Sequence, residues 1–425
     1  MTYAKNFPVR GYIVSFIHIL LLIILFYLPF IFLKFGLRKK ITHPPTLFCA
    51  IFSFVLSMAY IAHITLGFYE ISYESYAIYG LGNLSFIAGG MITDALNRRN
   101  IKNSTQLVIN KQAITLLKIL IFTLLLYFPI AYSEFKHATP DMPLALKILR
   151  IRERGLEEQV YSTITNNMII LSSCLVMYMT FIFSIKKINV YYYSLTFVLF
   201  CAYNFMTGTR AAIILISIAC IFIYLLNTNK NNKTSKLFLL SVGMTAIILG
   251  ALVAIFMGKD GMERDESLLA NLNKVVDNYF SYTVQGVILF DNYVIGREKI
   301  TPNWDILSGS AEVINKITSS NIFKTDSKFS EFSHFAKDKD GNVYTIYFAI
   351  YPLYGLVGVI LFFLLYGTVC TILYNHGPGI VSVLVGYINA TLCLNIFNEQ
   401  VFINIIFTIK FICFLLLIRC FERIK

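Results

Sequence analysis

The sequence predicts an all-α polytopic integral membrane protein, and three observations carry that expectation. Hydrophobic residues make up 57% of the 425 and charged residues only 14%, with a mean hydropathy of +0.68, so too little polar surface exists to cover a soluble globule. Apolar runs of roughly 17 to 24 residues recur, each long enough to cross a ~30 Å hydrocarbon core. Most Lys and Arg stand in short clusters between those runs, so the net charge of +13 reads as topology rather than as a nucleic-acid-binding face, and no nucleic acid partner is expected.

About eleven spans are expected, at 11–33, 45–68, 76–93, 114–133, 163–184, 190–206, 211–226, 237–257, 343–366, 379–397 and 400–418. Every second connection is basic. Lys34, Arg38, Lys39 and Lys40 are followed by Arg98, Arg99 and Lys102, then Lys186 and Lys187, then Lys230, Lys233 and Lys236, and finally Arg419, Arg423 and Lys425. Two of the connections between them, 67–75 with Glu70 and Glu74 and 398–400, hold no Lys or Arg. The basic side is the cytoplasmic one, which places the C-terminus there. The first run is span-length with no small-residue cleavage site after it, so no signal peptide is expected.

Three regions follow: residues 1–257 with spans one to eight and an outer loop at 134–162, a large outer loop or cap at 258–342, and residues 343–425 with spans nine to eleven. The first outer loop breaks the charge rule with Lys136, Lys147, Arg150, Arg152 and Arg154, and Met142 to Glu158 reads as an amphipathic surface helix. Such a helix serves either headgroup contact or the binding of a lipid-linked diphosphate. In the second loop, 268–294 carries apolar residues at helical spacing and reads as a half-buried or re-entrant helix. Thr301-Pro302-Asn303-Trp304 reads as a turn, and Asp340-Gly341-Asn342 as the turn that closes the loop.

One corner stands out for chemistry. Asn204 to Ala212 reads N-F-M-T-G-T-R-A-A between two spans and puts Arg210 at a membrane boundary. Arginine at a bilayer centre costs at least about 2.5–3.5 kcal/mol, so one beside a span either snorkels to headgroups or faces an anionic partner. Gly208 allows a turn, and a helix resuming at Ala211 would present free N–H groups beside the guanidinium, which suits an oxyanion or phosphate. Walker, zinc-protease and nucleophile-elbow patterns are absent. Asp338-x-Asp340 resembles a metal-holding acidic pair, but the alternating charges of Lys337 to Asp340 before Gly341 read better as a solvated turn, so no metal is expected. The eight cysteines form no C-x-x-C pair and none lies in the two long outer loops, which argues against a zinc site or a disulfide framework. Of the six histidines, His334 in the outer loop is the one placed to reach a polar site as a general base.

The T-G-T-R-A-A corner, the stretch Tyr279-Phe280-Ser281-Tyr282-Thr283-Val284-Gln285-Gly286 running on to Phe290-Asp291-Asn292-Tyr293, and Gly341-Asn342-Val343-Tyr344-Thr345 followed by Tyr354-Gly355-Leu356-Val357-Gly358 together resemble the Wzy-type O-antigen polymerases. The likeness covers roughly residues 200–370. It implies an enzyme of the bacterial inner membrane with its active site facing the periplasm. Such enzymes transfer a growing glycan from undecaprenyl diphosphate to a newly delivered lipid-linked repeat unit. The partners implied are the undecaprenyl-diphosphate-linked oligosaccharide, the lipid bilayer and a chain-length regulator protein; no cofactor is implied. The departing diphosphate needs positive charge, for which Arg210 comes first and Arg297 second, with Arg150, Arg152 and Arg154 guiding the lipid diphosphate. The acceptor hydroxyl needs a base, for which Asp291, Glu298 and His334 are candidates. Tyr344 and Asn342 are the candidate sugar-binding residues. An O-antigen ligase and a flippase for lipid-linked sugars are the rival readings; the chain shows no internal repeat of the kind transporters carry.

Overall fold

The computed structural model describes residues 17–97, 111–138, 160–185, 188–207, 210–228, 242–243, 268–301, 306–320, 331–376, 379–397, 401–402 and 404–423. These are mostly helical, in chain order α1 (Ile17–Gly36), α2 (Pro44–Leu66), α3 (Tyr73–Asn97), α4 (Lys111–Ala138), α5 (Thr163–Ser184), α6 (Val190–Met206), α7 (Arg210–Asn227), α8 (Leu268–Val294), α9 (Ser308–Thr318), α10 (Tyr351–Asn375), α11 (Ile380–Leu394) and α12 (Ile405–Arg423). A two-stranded antiparallel hairpin, β1 (Ser333–Ala336) and β2 (Lys339–Gly341), precedes α10. Among the described residues α1, α2, α4, α5 and α10 are long and apolar enough to cross a membrane, with shorter apolar helices at Val190–Met206, Ala211–Asn227 and Ile380–Leu394. The chain is a multi-pass membrane protein.

The chain forms two compact units. The first comprises Met1–Ile101, Phe280–Asn375 and Leu392–Ile403; the second comprises Lys102–Tyr279, His376–Thr391 and Asn404–Lys425. In the second, α5 packs against α6 and α7, with α4 and α12 alongside. Pro129 lies within the continuous helix α4, and the Tyr203 hydroxyl of α6 donates to the Leu124 carbonyl at 2.8 Å, binding the two helices one turn before it.

In the first unit the central pair is α3 and α10. Their backbones approach so closely that a Cβ on Gly89 would stand 2.1 Å from the Leu364 carbonyl oxygen, and one on Gly367 would stand 2.2 Å from that of Phe86. Lipid offers no hydrophobic drive for helix association, so small residues that permit close van der Waals contact set where the helices meet. Around this seam Phe48, Phe52, Tyr79, Phe290, Tyr347 and Phe363 form an aromatic core, with Phe48 stacked on Phe86 at 4.4 Å and Tyr79 edge-on to Tyr347 at 4.7 Å.

The proline in α1 illustrates how lipid constrains the backbone. Pro29 has no N–H to offer the carbonyl four residues earlier, and α1 loosens into π-helical turns at Ile23–Tyr27 and Phe32–Gly36 on either side. The orphaned Leu25 carbonyl accepts from buried Asn83 of α3 at 3.0 Å, and Phe26 accepts from the Cys49 thiol of α2 at 3.1 Å. Side chains supply what water would supply elsewhere.

Charged groups mark both ends of α3. At its C-terminal end Asp94 accepts from Lys39, from His43 at 3.1 Å and from Asn375 of α10 at 2.8 Å. At its start, 22 residues and roughly 33 Å away, Ser72 meets Asp291.

Two sequence expectations are corrected. The span expected at 343–366 begins later, because Ile346–Ala349 forms a buried 3-10 turn and the helical stretch from Tyr351 is broken at Gly355 (φ 59°) before the long helix runs on. Those apolar residues are buried in protein, not lipid, a distinction that hydropathy cannot make. The turn expected at Asp340-Gly341-Asn342 lies instead at Lys337-Asp338, and Gly341 is paired with Ser333 in β2. A Cβ on Gly341 would sit 2.0 Å from Gln285 Oε1, so the glycine serves close approach rather than reversal. The run at 237–257, the Met142 to Glu158 helix and the Pro302-Asn303-Trp304 part of the expected turn lie outside the described residues, apart from Val242 and Gly243.

Gly367→Val should weaken the α3–α10 seam by about 1–3 kcal/mol through overpacking. The check is the unfolding midpoint of detergent-purified protein, with Gly243→Val, where an added Cβ would meet nothing nearer than 4.0 Å, as the comparison.

Candidate functional site

The polar end of the first unit is built on the C-terminus of α8. Gly296, at φ 64°, closes that helix: its N–H donates to Tyr293 O at 3.3 Å and the Arg297 N–H to Asn292 O at 2.9 Å. This paired pattern is a Schellman motif, which glycine permits because it adopts positive φ without a Cβ penalty. It folds Arg297 back over the last turn of its own helix.

There the guanidinium donates to Asn292 Oδ1, to the Glu70 carbonyl at 3.2 Å and to Asp291 Oδ2 at 3.5 Å, and lies over the Tyr69 ring at 4.7 Å. Asp291 is fully buried. Its other oxygen accepts from the Ser72 hydroxyl and from the Ser72 backbone N–H at 2.8 Å. Ser72 in turn caps α3 by accepting from Ser75 N at 3.3 Å. Glu70 continues the chain of contacts to His18, whose buried ring stacks on Tyr73 at 4.4 Å and whose Nδ1 lies 3.0 Å from the carboxylate.

Asn292 holds the hairpin. Its amide donates to Ser333 Oγ at 3.1 Å and to the His334 carbonyl at 2.6 Å, while the His334 N–H donates to Glu298 at 3.2 Å. The 67–72 connection adds an outer edge: Phe68 bridges to Ala336, and Tyr69 N donates to Phe335 O at 3.0 Å. On this frame the His334 imidazole pairs through Nδ1 with the Asp340 carboxylate across the hairpin, the two side chains 53% and 52% exposed. An imidazole whose Nδ1–H is given to a carboxylate keeps Nε2 as a free proton acceptor. Tyr344 is buried just beyond the hairpin, stacked on Phe348 at 4.1 Å, with its hydroxyl donating to Glu331 O at 3.1 Å. Burial, then the Glu298 and Glu331 carboxylates, push its hydroxyl well above the usual phenol range, so it serves as a donor and not as a base. Asn342, half-buried, leaves β2 toward it.

Six of the residues singled out in the sequence are therefore gathered in the first unit: Asp291, Arg297, Glu298, His334, Asn342 and Tyr344. Their environments separate them. Asp291 is enclosed and fully engaged, Arg297 spends its donors on protein, Glu298 anchors backbone, and His334 alone pairs an exposed base with an orienting acid. Arg210 is the first residue of α7 in the second unit, after α6 ends on Thr207, and its side chain lies outside the described residues, as do Arg150, Arg152 and Arg154. Sequence reasoning missed Tyr69, Glu70, Ser72, Asn292 and His18 as partners. Only Ser72 carried a local signal, a serine directly before the helical run that begins at Tyr73. Among the described residues no three His, Cys, Asp or Glu side chains gather as metal ligands would.

Asp291→Ala should cost about 2 kcal/mol, chiefly because it leaves the Ser72 donors without their acceptor, while Asp291→Asn should cost less. Thermal unfolding of both variants checks this, and equal midpoints for wild type and Asp291→Ala would refute the pinning role. No family model, curated protein or solved structure matches the chain.

Proposed function

We propose that the protein is a repeat-unit polymerase of the bacterial cytoplasmic membrane. In this reading it has about eleven spans, and the hairpin end of its first unit faces the periplasm. The observation that carries the reading is the exposed His334–Asp340 pair held on a rigid polar frame at one end of a membrane-spanning unit. A hydroxyl of the incoming lipid-linked repeat unit gives its proton to His334 Nε2, and its oxygen attacks the anomeric carbon of the growing glycan. The bond from that carbon to the diphosphate oxygen breaks, and undecaprenyl diphosphate departs with the electron pair. Asp340 keeps the imidazole in the accepting tautomer and stabilises the imidazolium that forms.

Arg297 is committed to Asn292, Glu70 and Asp291 and acts as a positioning residue. The resemblance assigns the departing diphosphate to Arg210 and the guidance of the lipid-linked substrate to Arg150, Arg152 and Arg154. Forked guanidinium donors suit this work because they stay charged and bind phosphate oxygens in pairs. Asn342 is the sugar-side group, and Tyr344, buried against Phe348 with its hydroxyl given to Glu331 O, supports the chain beside it instead of meeting the sugar. The step requires no metal, and the further partner in this reading is a chain-length regulator protein.

The lipopolysaccharide banding pattern of a deletion strain tests the proposal. The ladder should collapse to core plus a single repeat and return with the intact gene. Loss of every repeat, the first included, would overturn the reading in favour of a ligase or flippase. In the same assay His334→Ala should lower polymerisation by about 100-fold or more, the scale of a lost general base, and Asp340→Asn by a smaller factor. Arg210→Ala should abolish the ladder, with Arg210→Lys a partial rescue. A full ladder from His334→Ala would remove it from the mechanism.

A further inference from the structure

A short helix of the first unit, α9, carries an apolar face that the core does not use. Leu307 at the N-cap of α9, with Ile314 and Ile317 seven and ten residues on, fall on one side of a helix with 3.6 residues per turn, and they are 53%, 42% and 77% exposed. Glu312 and Asn315, on other sides of the helix, are half-buried. Such an apolar stripe on a short surface helix either docks on something or lies in a membrane interface.

The structure places this helix at a definite level. Buried Ile306, just before α9, donates its N–H to Ala349 O at 3.1 Å, and Ala349 ends the 3-10 turn that leads into α10. α9 therefore starts where the longest apolar helix of this unit begins its crossing. The chain kinks at Gly355 (φ 59°) as that crossing begins, and Leu353 before the kink and Leu356 and Val357 after it are 60%, 44% and 68% exposed, the exposure of a lipid-facing surface. The apolar stripe and the lipid-facing turns thus start from one hydrogen-bonded joint.

We propose that α9 is an interfacial helix whose partner is the bilayer itself, with Leu307, Ile314 and Ile317 seated at the boundary between headgroups and acyl chains. The inference rests on the multi-pass architecture and not on the polymerase reading. It anchors the 306–320 segment to the membrane surface beside the joint.

The chain has a single tryptophan, Trp304, which makes a clean test possible. In a Trp304→Phe background, Ile317→Trp and, separately, Ile314→Trp are introduced into the full-length protein reconstituted in phosphatidylcholine vesicles. Asp338→Trp, at the exposed hairpin turn, is the reference. Emission at positions 317 and 314 should be quenched severalfold more by lipid brominated near the headgroup than at the reference position, and severalfold less by aqueous acrylamide. Strong acrylamide quenching without lipid quenching would overturn the proposal. So would protection from both quenchers, which would mean that protein, another segment or a second copy, covers the stripe. Two reporter positions guard against one substitution disturbing the fold.

Discussion

The buried carboxylate of Asp291 is the constraint on which the polar end of the first unit depends. A charge with no access to water must be met by donors held in place, and the donors come from separate parts of the chain. Ser72 approaches from 219 residues away at the start of α3, and Arg297 returns over the end of α8 through the glycine turn. Meeting at one carboxylate, these segments fix the 69–72 connection against α8. Asn292, the neighbouring residue, then fixes the hairpin to both. The pairing of His334 with Asp340 is the outermost consequence of this frame.

Beneath it, the scaffold obeys the rule that lipid satisfies no backbone polar group. Asn83 and Cys49 answer carbonyls of the disturbed helix α1, and Tyr347 donates to the Tyr79 carbonyl at 3.0 Å within the aromatic core. Gly89 and Gly367 let α3 and α10 meet backbone to backbone. The two ends of α3 carry different chemistry as a result. Lys39, His43 and Asn375 close on Asp94 at one end, and at the other the buried Asp291 carboxylate supports an exposed acid–base pair.

The distribution of roles among the candidate residues follows from burial. Chemical type alone ranks Asp291, Glu298 and His334 together as bases and Arg297 beside Arg210 as a phosphate ligand. Enclosure removes Asp291, because both its oxygens are occupied, and the donors of Arg297 are spent on Asn292, Glu70 and Asp291. His334 differs by its exposure and by a carboxylate at Nδ1. That distinction carries the functional reading from a list of residue types to a mechanism with assigned roles.

Much of the architecture was legible in the sequence because the demands of lipid act on each stretch separately. A helix that must face acyl chains announces itself by its own composition, whereas the caps at Gly67, Ser162 and Asn189 came from the structure. The apolar run before α10 misled because hydropathy cannot tell burial in protein from burial in lipid. What only the tertiary structure decided was which polar residue meets which: Ser72 with Asp291, Asn292 with the hairpin, His334 with Asp340. Those pairings arise when the helices pack and bring distant segments to one end. No local property of the sequence encodes them, since each residue taken alone could serve equally well as a cap, an anchor or a base.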